Sequence, residues 1–277
     1  MTLDQQLADL DAQLRGLGSV VVAFSGGADS AFLLAAAVRA LGADAVVAAT
    51  AVSPSLPVSE LDAAAEFARG LGVRHLTPAT DEMSRSGYAA NGPDRCFHCK
   101  AELLDVLVPT AARLGIDDVA TGTNADDARD GFRPGIRAAA LAGAVTPLRD
   151  AGLTKAQVRE ASRAWGLVTA DKPAAACLSS RVAYGIQISP ARLGRIEHAE
   201  AALRAAMVAA GLPVRDLRVR DHGDRARVEV DSELVEDLER RPDVLAAVTG
   251  FDRVEVDSRG FRSGSMNDAI SREKKGA

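Results

Sequence analysis

The segment Ser25-Gly26-Gly27-Ala28-Asp29-Ser30 gathers hydroxyls, glycines and a carboxylate within one short stretch. It follows a β-rich apolar run over 19–24 and precedes an alanine- and leucine-rich stretch over Ser30–Leu41. That order reads as strand, glycine loop, helix. Gly26 and Gly27 reach backbone angles closed to other residues and leave no side chain in a ligand's way. Their N–H groups, with those of Asp29 and Ser30, can point at one anion, and the helix N-terminus adds a favourable partial charge. Ser25 and Ser30 add hydroxyl donors. The chemistry expected is a cradle for pyrophosphate; the bland alternative is an ordinary strand-to-helix turn. The Walker spacing and its lysine are absent, and so is the G-x-G-x-x-G of dinucleotide-binding folds.

A second polar run, Gly122-Thr123-Asn124-Ala125-Asp126-Asp127, follows another predicted strand end. Gly122 and Thr123 are candidates for ribose and α-phosphate contacts, and Asp126 or Asp127 for a metal. Such residues are also common turn formers. Just beyond, Arg133 is a candidate for stabilising charge that develops on phosphate, or else an ordinary surface arginine.

Three cysteines remain, Cys96, Cys99 and Cys177. An odd count does not close a disulfide framework. Cys96 and Cys99 form a Cys-x-x-Cys pair read as lying ahead of a helix over Lys100–Leu114. Structural zinc takes four protein ligands, and His98, inside the pair, is awkwardly directed to be the fourth. A redox pair needs no third thiol. An iron–sulfur cluster on three thiolates employs all of them and leaves one iron open. The residues by themselves leave the three readings open.

These groups need elements to hold them. Strands are expected at 45–52, 74–78 and 118–121, and helices at 59–71, 100–114 and 153–165, the last capped by Thr154. Alternating strands and helices predict an α/β, doubly wound parallel sheet. Its nucleotide site belongs at the strand ends, near Ser53 and Pro54. The pattern changes after about residue 185. A helix over 189–210, strands at 216–220 and 225–231 joined by His222-Gly223-Asp224, a helix over 232–248 bent or divided at Pro242, and a strand at 253–257 predict a smaller α+β unit. The division expected is 1–180 and 181–277, with a disordered tail at 271–277.

A length of 277 residues suits one large and one small domain. The net charge of −5 implies no broad basic surface, against a nucleic-acid partner. The N-terminal segment reads as an amphipathic helix with Leu3, Leu7, Leu10 and Leu14 on one face, without the features of a signal peptide. The longest apolar run, near 31–38, is too short to cross a bilayer. A cytoplasmic protein with no membrane partner is expected.

The SGGADS string in its strand–helix setting resembles the PP-loop of ATP-pyrophosphatases, which split ATP into an AMP adduct and pyrophosphate. The GTNADD segment is similar to the second nucleotide-binding segment of that class. The resemblance implies ATP as cosubstrate and Asp29, with Asp127, placing magnesium on the phosphates. SGGADS, GTNADD, DxxRPG, CLSSRVAYG and GFRSGSMND together resemble the LarE-type sulfur transferases over nearly the whole chain, 1–268. That resemblance implies adenylylation of a carboxylate of a pyridinium dicarboxylate mononucleotide, then sulfur transfer, on the way to the nickel-pincer nucleotide cofactor. Some members sacrifice a lone cysteine at the position of Cys177. Others add the pair and hold a [4Fe–4S] cluster, and this chain is similar to those.

Arg218 and Arg220 alternate along a strand, so both face one side and suit the substrate's phosphate. Arg181, beside Cys177, is a candidate for steering an anion there, and Glu200 is a weaker candidate for acid–base or metal work. The partners expected are a small mononucleotide, a sulfur source the sequence does not identify, and further copies of the chain. A tRNA thiolase is the first rival, disfavoured by the acidic balance. An amide-forming ligase has no use for Cys177, and a non-catalytic ATP sensor would not need Asp29.

Overall fold

The computed structural model describes residues 1–129, 134–173, 177–262 and 265–267. The chain divides into two compact units. The first comprises Met1–Tyr88 and Asp94–Ala175, the second Ala89–Pro93 and Ala176–Ala277.

In the first unit α1 (Leu3–Leu17) opens with a capping box between Thr2 and Gln5 and buries Leu10 and Leu14. There follow β1 (Val20–Ala23), α2 (Ala28–Leu41), β2 (Val46–Ala49), α3 (Val58–Gly70), β3 (Arg74–Leu76) and α4 (Ser86–Ala89). Then come α5 (Arg95–Arg113), β4 (Val119–Thr121), α6 (Ala125–Arg129), α7 (Pro134–Leu141), α8 (Pro147–Asp150) and α9 (Lys155–Ala164). The strands form one sheet in the order β3-β2-β1-β4, every pairing parallel.

β1 and β2 are buried along their whole length, because helices cover both faces. Val20, Val22, Val46 and Ala48 face one core with Phe32, Leu33, Ala64 and Val158. The alternate residues Val21, Ala23, Val47 and Ala49 face the other with Leu104, Leu107 and Ala139. The chain runs outward from β1 through β2 to β3, then returns to place β4 on the other side of β1. The order therefore reverses at β1/β4, and the loops leaving the carboxyl ends of those strands flank a crevice.

The second unit holds α10 (Pro190–Ala209), β5 (Leu217–Asp221), β6 (Arg225–Val230), α11 (Val235–Glu239), α12 (Pro242–Leu245) and β7 (Arg253–Val256). Its sheet runs β5-β6-β7, antiparallel then parallel, over a core that includes Leu203, Met207, Val219, Val228 and Leu238. Asn91 belongs here. It is fully buried, its φ is 55°, and its Nδ2 donates to the carbonyls of Ala183 and Ile186 at 2.8 and 3.0 Å.

Two sequence expectations are corrected. The helix expected from Lys100 begins at Arg95, so Cys96 and Cys99 lie inside its first turns. The Phe97 amide bonds to the Asp94 carbonyl at 2.7 Å, and His98 pairs with Asp94 at 3.3 Å; both interactions draw that turn into the helix. The helix expected over 232–248 is a 3-10 turn, α11 and α12, divided where Pro242 opens α12. The 271–277 tail lies outside the described residues.

Candidate active site

The crevice is a cleft of about 380 Å³ within the first unit. Ser25, Gly27, Ala28, Asp29 and Ser30 line it from the β1 side, and Thr121, Gly122, Thr123 and Asp127 from the β4 side. Ala49, Thr50, Ala51 and Leu56 complete the wall beyond β2. That volume is within the range of small-molecule sites.

The glycine loop is braced from inside. The Ser30 hydroxyl donates to the Gly27 carbonyl at 3.1 Å and accepts from the Ser25 amide at 3.3 Å. Gly27 is the N-cap of α2 and provides no side-chain cap, so the first N–H groups of the helix are presented to the cleft. Asp29 and Ser30 stand in that first turn rather than ahead of it. Gly122 lies against them so closely that a Cβ there would sit 2.8 Å from the Ser30 nitrogen.

Asn124 opens α6, its side-chain oxygen accepting from the amides of Asp126 and Asp127 at 3.0 and 3.1 Å. This turns Asp127 to the cleft, whereas Asp126 accepts the Lys155 amide at 2.8 Å and so fixes the start of α9. Arg133 lies outside the described residues.

Three lysines that sequence reading did not single out also line the cleft: Lys100, Lys155 and Lys172. Lys155 Nζ stands 2.5 Å from Asp29 Oδ2. Lys172 Nζ bonds Glu60 at 2.6 Å and the Gly26 carbonyl at 3.0 Å. Burial pushes the Lys100 ammonium below the usual lysine range, with Cys99 and Cys96 acting in the opposite sense. The available signals were slight: Lys155 follows an N-cap threonine, and Lys172 precedes a proline.

The donors suit a hard cation. Asp29 Oδ1 is buried without a hydrogen-bond partner while Oδ2 holds an ammonium, and Asp127 lies on the facing wall. Two carboxylates plus phosphate oxygens are an ordinary magnesium environment. The soft donors are distributed differently. Cys96 and Cys99 stand three residues apart on α5, hence on one face, and Cys177 belongs to the second unit. Among the described residues no group of three His, Cys, Asp or Glu side chains is assembled as a metal site.

In the second unit, Arg181 forks onto Glu200 at 3.0 and 3.2 Å, and Glu200 also accepts the Val219 amide at 3.0 Å. Arg218 lies 5.2 Å from the Phe261 ring centre. Loss of hydration, with Arg181 and Arg220 nearby, lowers its pKa from the ordinary arginine value. Arg220 is buried and bonded to Glu229 at 2.6 and 2.9 Å.

A glycine loop entering a helix, opposite a Gly-Thr-Asn loop at the reversal of a parallel sheet, defines a nucleotide-binding unit of the PP-loop ATP-pyrophosphatase class. The chain matches no protein-family profile, yet similar proteins narrow the class. It is 38% identical to the uncharacterized protein slr1717 of Synechocystis, over 98% of this chain and 100% of that one. It is 34% identical to the pyridinium-3,5-bisthiocarboxylic acid mononucleotide synthase of Lactiplantibacillus plantarum, over 98% and 97%. A segment of 80 residues is 48% identical to a glutamine-dependent NAD(+) synthetase of Xylella fastidiosa, covering 28% of this chain and 14% of that one. The chain belongs to the family of the Lactiplantibacillus synthase, the LarE-type family of PP-loop enzymes. No helix among the described residues is long and apolar enough to cross a membrane.

Proposed function

We propose that this enzyme is an ATP-dependent sulfur transferase that adenylylates a carboxylate of pyridinium-3,5-dicarboxylate mononucleotide, releases pyrophosphate and replaces AMP with sulfur. The observation that carries this reading is the near-full-length similarity to a synthase named for the bisthiocarboxylic product. The glycine-loop cleft, with Asp29 and three lysines around it, supports the ATP half-reaction.

A carboxylate is a poor electrophile. Its oxygen attacks the α-phosphorus, and the bond to pyrophosphate breaks. The leaving charge meets the N–H groups at the start of α2, the Ser25 and Ser30 hydroxyls, and Lys155 and Lys100. Asp29 and Asp127 would hold the magnesium ion, whose chemistry is to neutralise charge on the phosphates. Sulfur then attacks the acyl carbon, and the carbon–oxygen bond to AMP breaks.

Cys96, Cys99 and Cys177 are the proposed donors to a [4Fe–4S] cluster, which would supply a place to carry sulfide. The alternative, loss of sulfur from Cys177 itself, has the same acceptor chemistry. The second unit, with Arg218 foremost, takes the mononucleotide phosphate. Working as an oligomer in the cytoplasm completes the reading.

Two measurements test it. With acceptor present, ATP should yield AMP and pyrophosphate; ADP as the main product would refute the ATP-pyrophosphatase chemistry. Protein reconstituted without oxygen should bind about four irons, and Ser at any one of the three cysteines should abolish cluster and sulfur transfer while adenylylation persists. If only Cys177→Ser stops transfer and the protein mass falls by one sulfur on turnover, Cys177 is the donor.

A further inference from the structure

We propose that Glu60 and Lys172 are a positioning pair that holds the Gly26–Gly27 peptide in its anion-binding orientation. The inference rests on the pyrophosphate-cradle reading of the glycine loop and assigns a role to two residues outside the loop.

Gly26 has a φ of 70° and lies on α3 so closely that a Cβ there would stand 3.4 Å from the Ala64 Cβ. Consecutive glycines at 26 and 27 make this peptide plane easy to rotate. The loop therefore needs something that selects one orientation. In a trans peptide the carbonyl of Gly26 and the N–H of Gly27 point in opposite directions. Turned one way, the plane offers the N–H of Gly27 to the cleft. Turned the other way, it offers a carbonyl oxygen, which repels phosphate.

Lys172 makes the selection. Its ammonium has only hydrogens to give, and it gives one to the Gly26 carbonyl at 3.0 Å. The opposite edge of the plane is left toward Ser25, whose hydroxyl lies 3.4 Å from the Gly27 nitrogen on the cleft wall. Glu60, in the first turn of α3, holds the same ammonium at 2.6 Å. Both side chains are about three-quarters covered, at 22% and 26% exposure, so the pair is ordered rather than a loose surface contact.

Lys172 also lines the cleft, which offers a competing role. If it were a direct phosphate ligand that Glu60 sequesters, removing Glu60 would free it and tighten pyrophosphate binding. If Glu60 positions Lys172 on the Gly26 carbonyl, removing Glu60 loosens the plane and weakens binding. The two roles predict opposite signs.

The test is calorimetric titration of the full chain with magnesium pyrophosphate and, separately, with AMP. Glu60→Ala should weaken pyrophosphate binding by about tenfold, the value of one charged hydrogen bond, and leave AMP binding within about twofold. Glu60→Gln, which keeps an acceptor for the ammonium, should recover most of the loss. Unchanged or tighter pyrophosphate binding in Glu60→Ala overturns the proposal. Equal weakening of pyrophosphate and AMP also overturns it, since that marks a general structural role. A wild-type chain that binds AMP but no pyrophosphate overturns the cradle reading first, and this inference with it.

Discussion

Arg181 Nη1 donates to the Cys177 carbonyl at 3.0 Å while the rest of its guanidinium is gripped by Glu200. Glu200 is in turn tied to β5 through the Val219 amide. The backbone that carries the thiol is thus referred to the second unit's sheet by a chain of charged hydrogen bonds. In this arrangement Glu200 orients Arg181 instead of exchanging protons with a substrate. Glu200→Gln should therefore lower the rate of sulfur transfer without changing the shape of its pH profile. A profile that loses one limb in the variant would make Glu200 an acid–base group. Glu200→Ala leaves the 5%-exposed Arg181 side chain without its counter-ion and should cost about 3 kcal/mol in urea unfolding.

Gly122 supplies a steric test of the cleft. Its missing Cβ would meet the Ser30 nitrogen at 2.8 Å and the Asp29 carbonyl carbon at 3.1 Å, both backbone atoms of the first turn of α2. Gly122→Ala must push β4's loop and the glycine loop apart. ATP affinity should fall by at least about tenfold, with the fold retained because the clash lies at the sheet's open end. Normal ATP affinity in this variant would mean that nucleotide binds elsewhere.

How much of this was legible in the sequence differs from residue to residue. Ser25–Ser30 announced itself because glycines, hydroxyls and a flanking β-to-α change of period coincide in one window. The cleft lysines did not. Lys155 sits at a helix start and Lys172 in a loop, positions where solvated lysines are common, and only the reversal of strand order at β1/β4 brings them to one place. Strand alternation put Arg218 and Arg220 on one face of β5, but sequence carries no sign that Glu229 and Ser265 cover one of the two. The start of α5 was missed because Asp94 makes no side-chain cap there. What announces that turn is the pairing of Asp94 with His98, which is visible only once the helix exists.

Asp29 should be separable from the fold. Its carboxylate faces the cleft and holds Lys155, and it does not belong to either hydrophobic core of the first unit. Asp29→Ala should abolish AMP formation with little change in melting temperature. Lys155→Met should weaken ATP binding but leave residual turnover, because Lys100 and Lys172 remain in the wall. Loss of cooperative unfolding in either variant would count against a purely functional pair.

His75 makes stability depend on pH. The Thr50 hydroxyl donates to the Phe24 carbonyl at 2.7 Å, so its oxygen must accept at 2.8 Å from the Nε2–H of His75. Burial lowers the pKa of that imidazole from its usual value. In the window just below the unfolded value of about 6.5, the unfolded chain takes up a proton that the folded chain refuses. The contribution is therefore complete above that value and declines as pH falls toward the folded pKa. Melting temperature should drop between about pH 7.5 and pH 5.5, and less so in His75→Gln. An equal drop in both proteins would place the effect elsewhere, with His222, whose pKa is also lowered by burial, as the first alternative.

Arg218 and Arg220 should part company on mutation. The Arg220 guanidinium bonds Glu229 through two nitrogens, and Ser265 bridges them, accepting from Arg220 at 3.1 Å and donating to Glu229 at 2.8 Å. The Glu229 side chain is completely covered. Arg220→Ala strands a carboxylate in the interior, and breaking such a pair costs roughly 3–5 kcal/mol of stability. Arg218 rests beside Phe261 with a 2.7 Å bond to the Leu217 carbonyl and has no carboxylate in a comparable fork among its printed bonds of this strand. Burial among other arginines leaves its charge poorly compensated, which is the condition under which an arriving phosphate gains most. Arg218→Ala should unfold at nearly the wild-type urea concentration and bind the mononucleotide acceptor about 1.5–3 kcal/mol more weakly, with ATP affinity unchanged. If Arg218→Ala instead loses acceptor and ATP binding in equal measure, or if its unfolding midpoint falls as far as that of Arg220→Ala, the residue is part of the scaffold and the substrate phosphate is held by other groups.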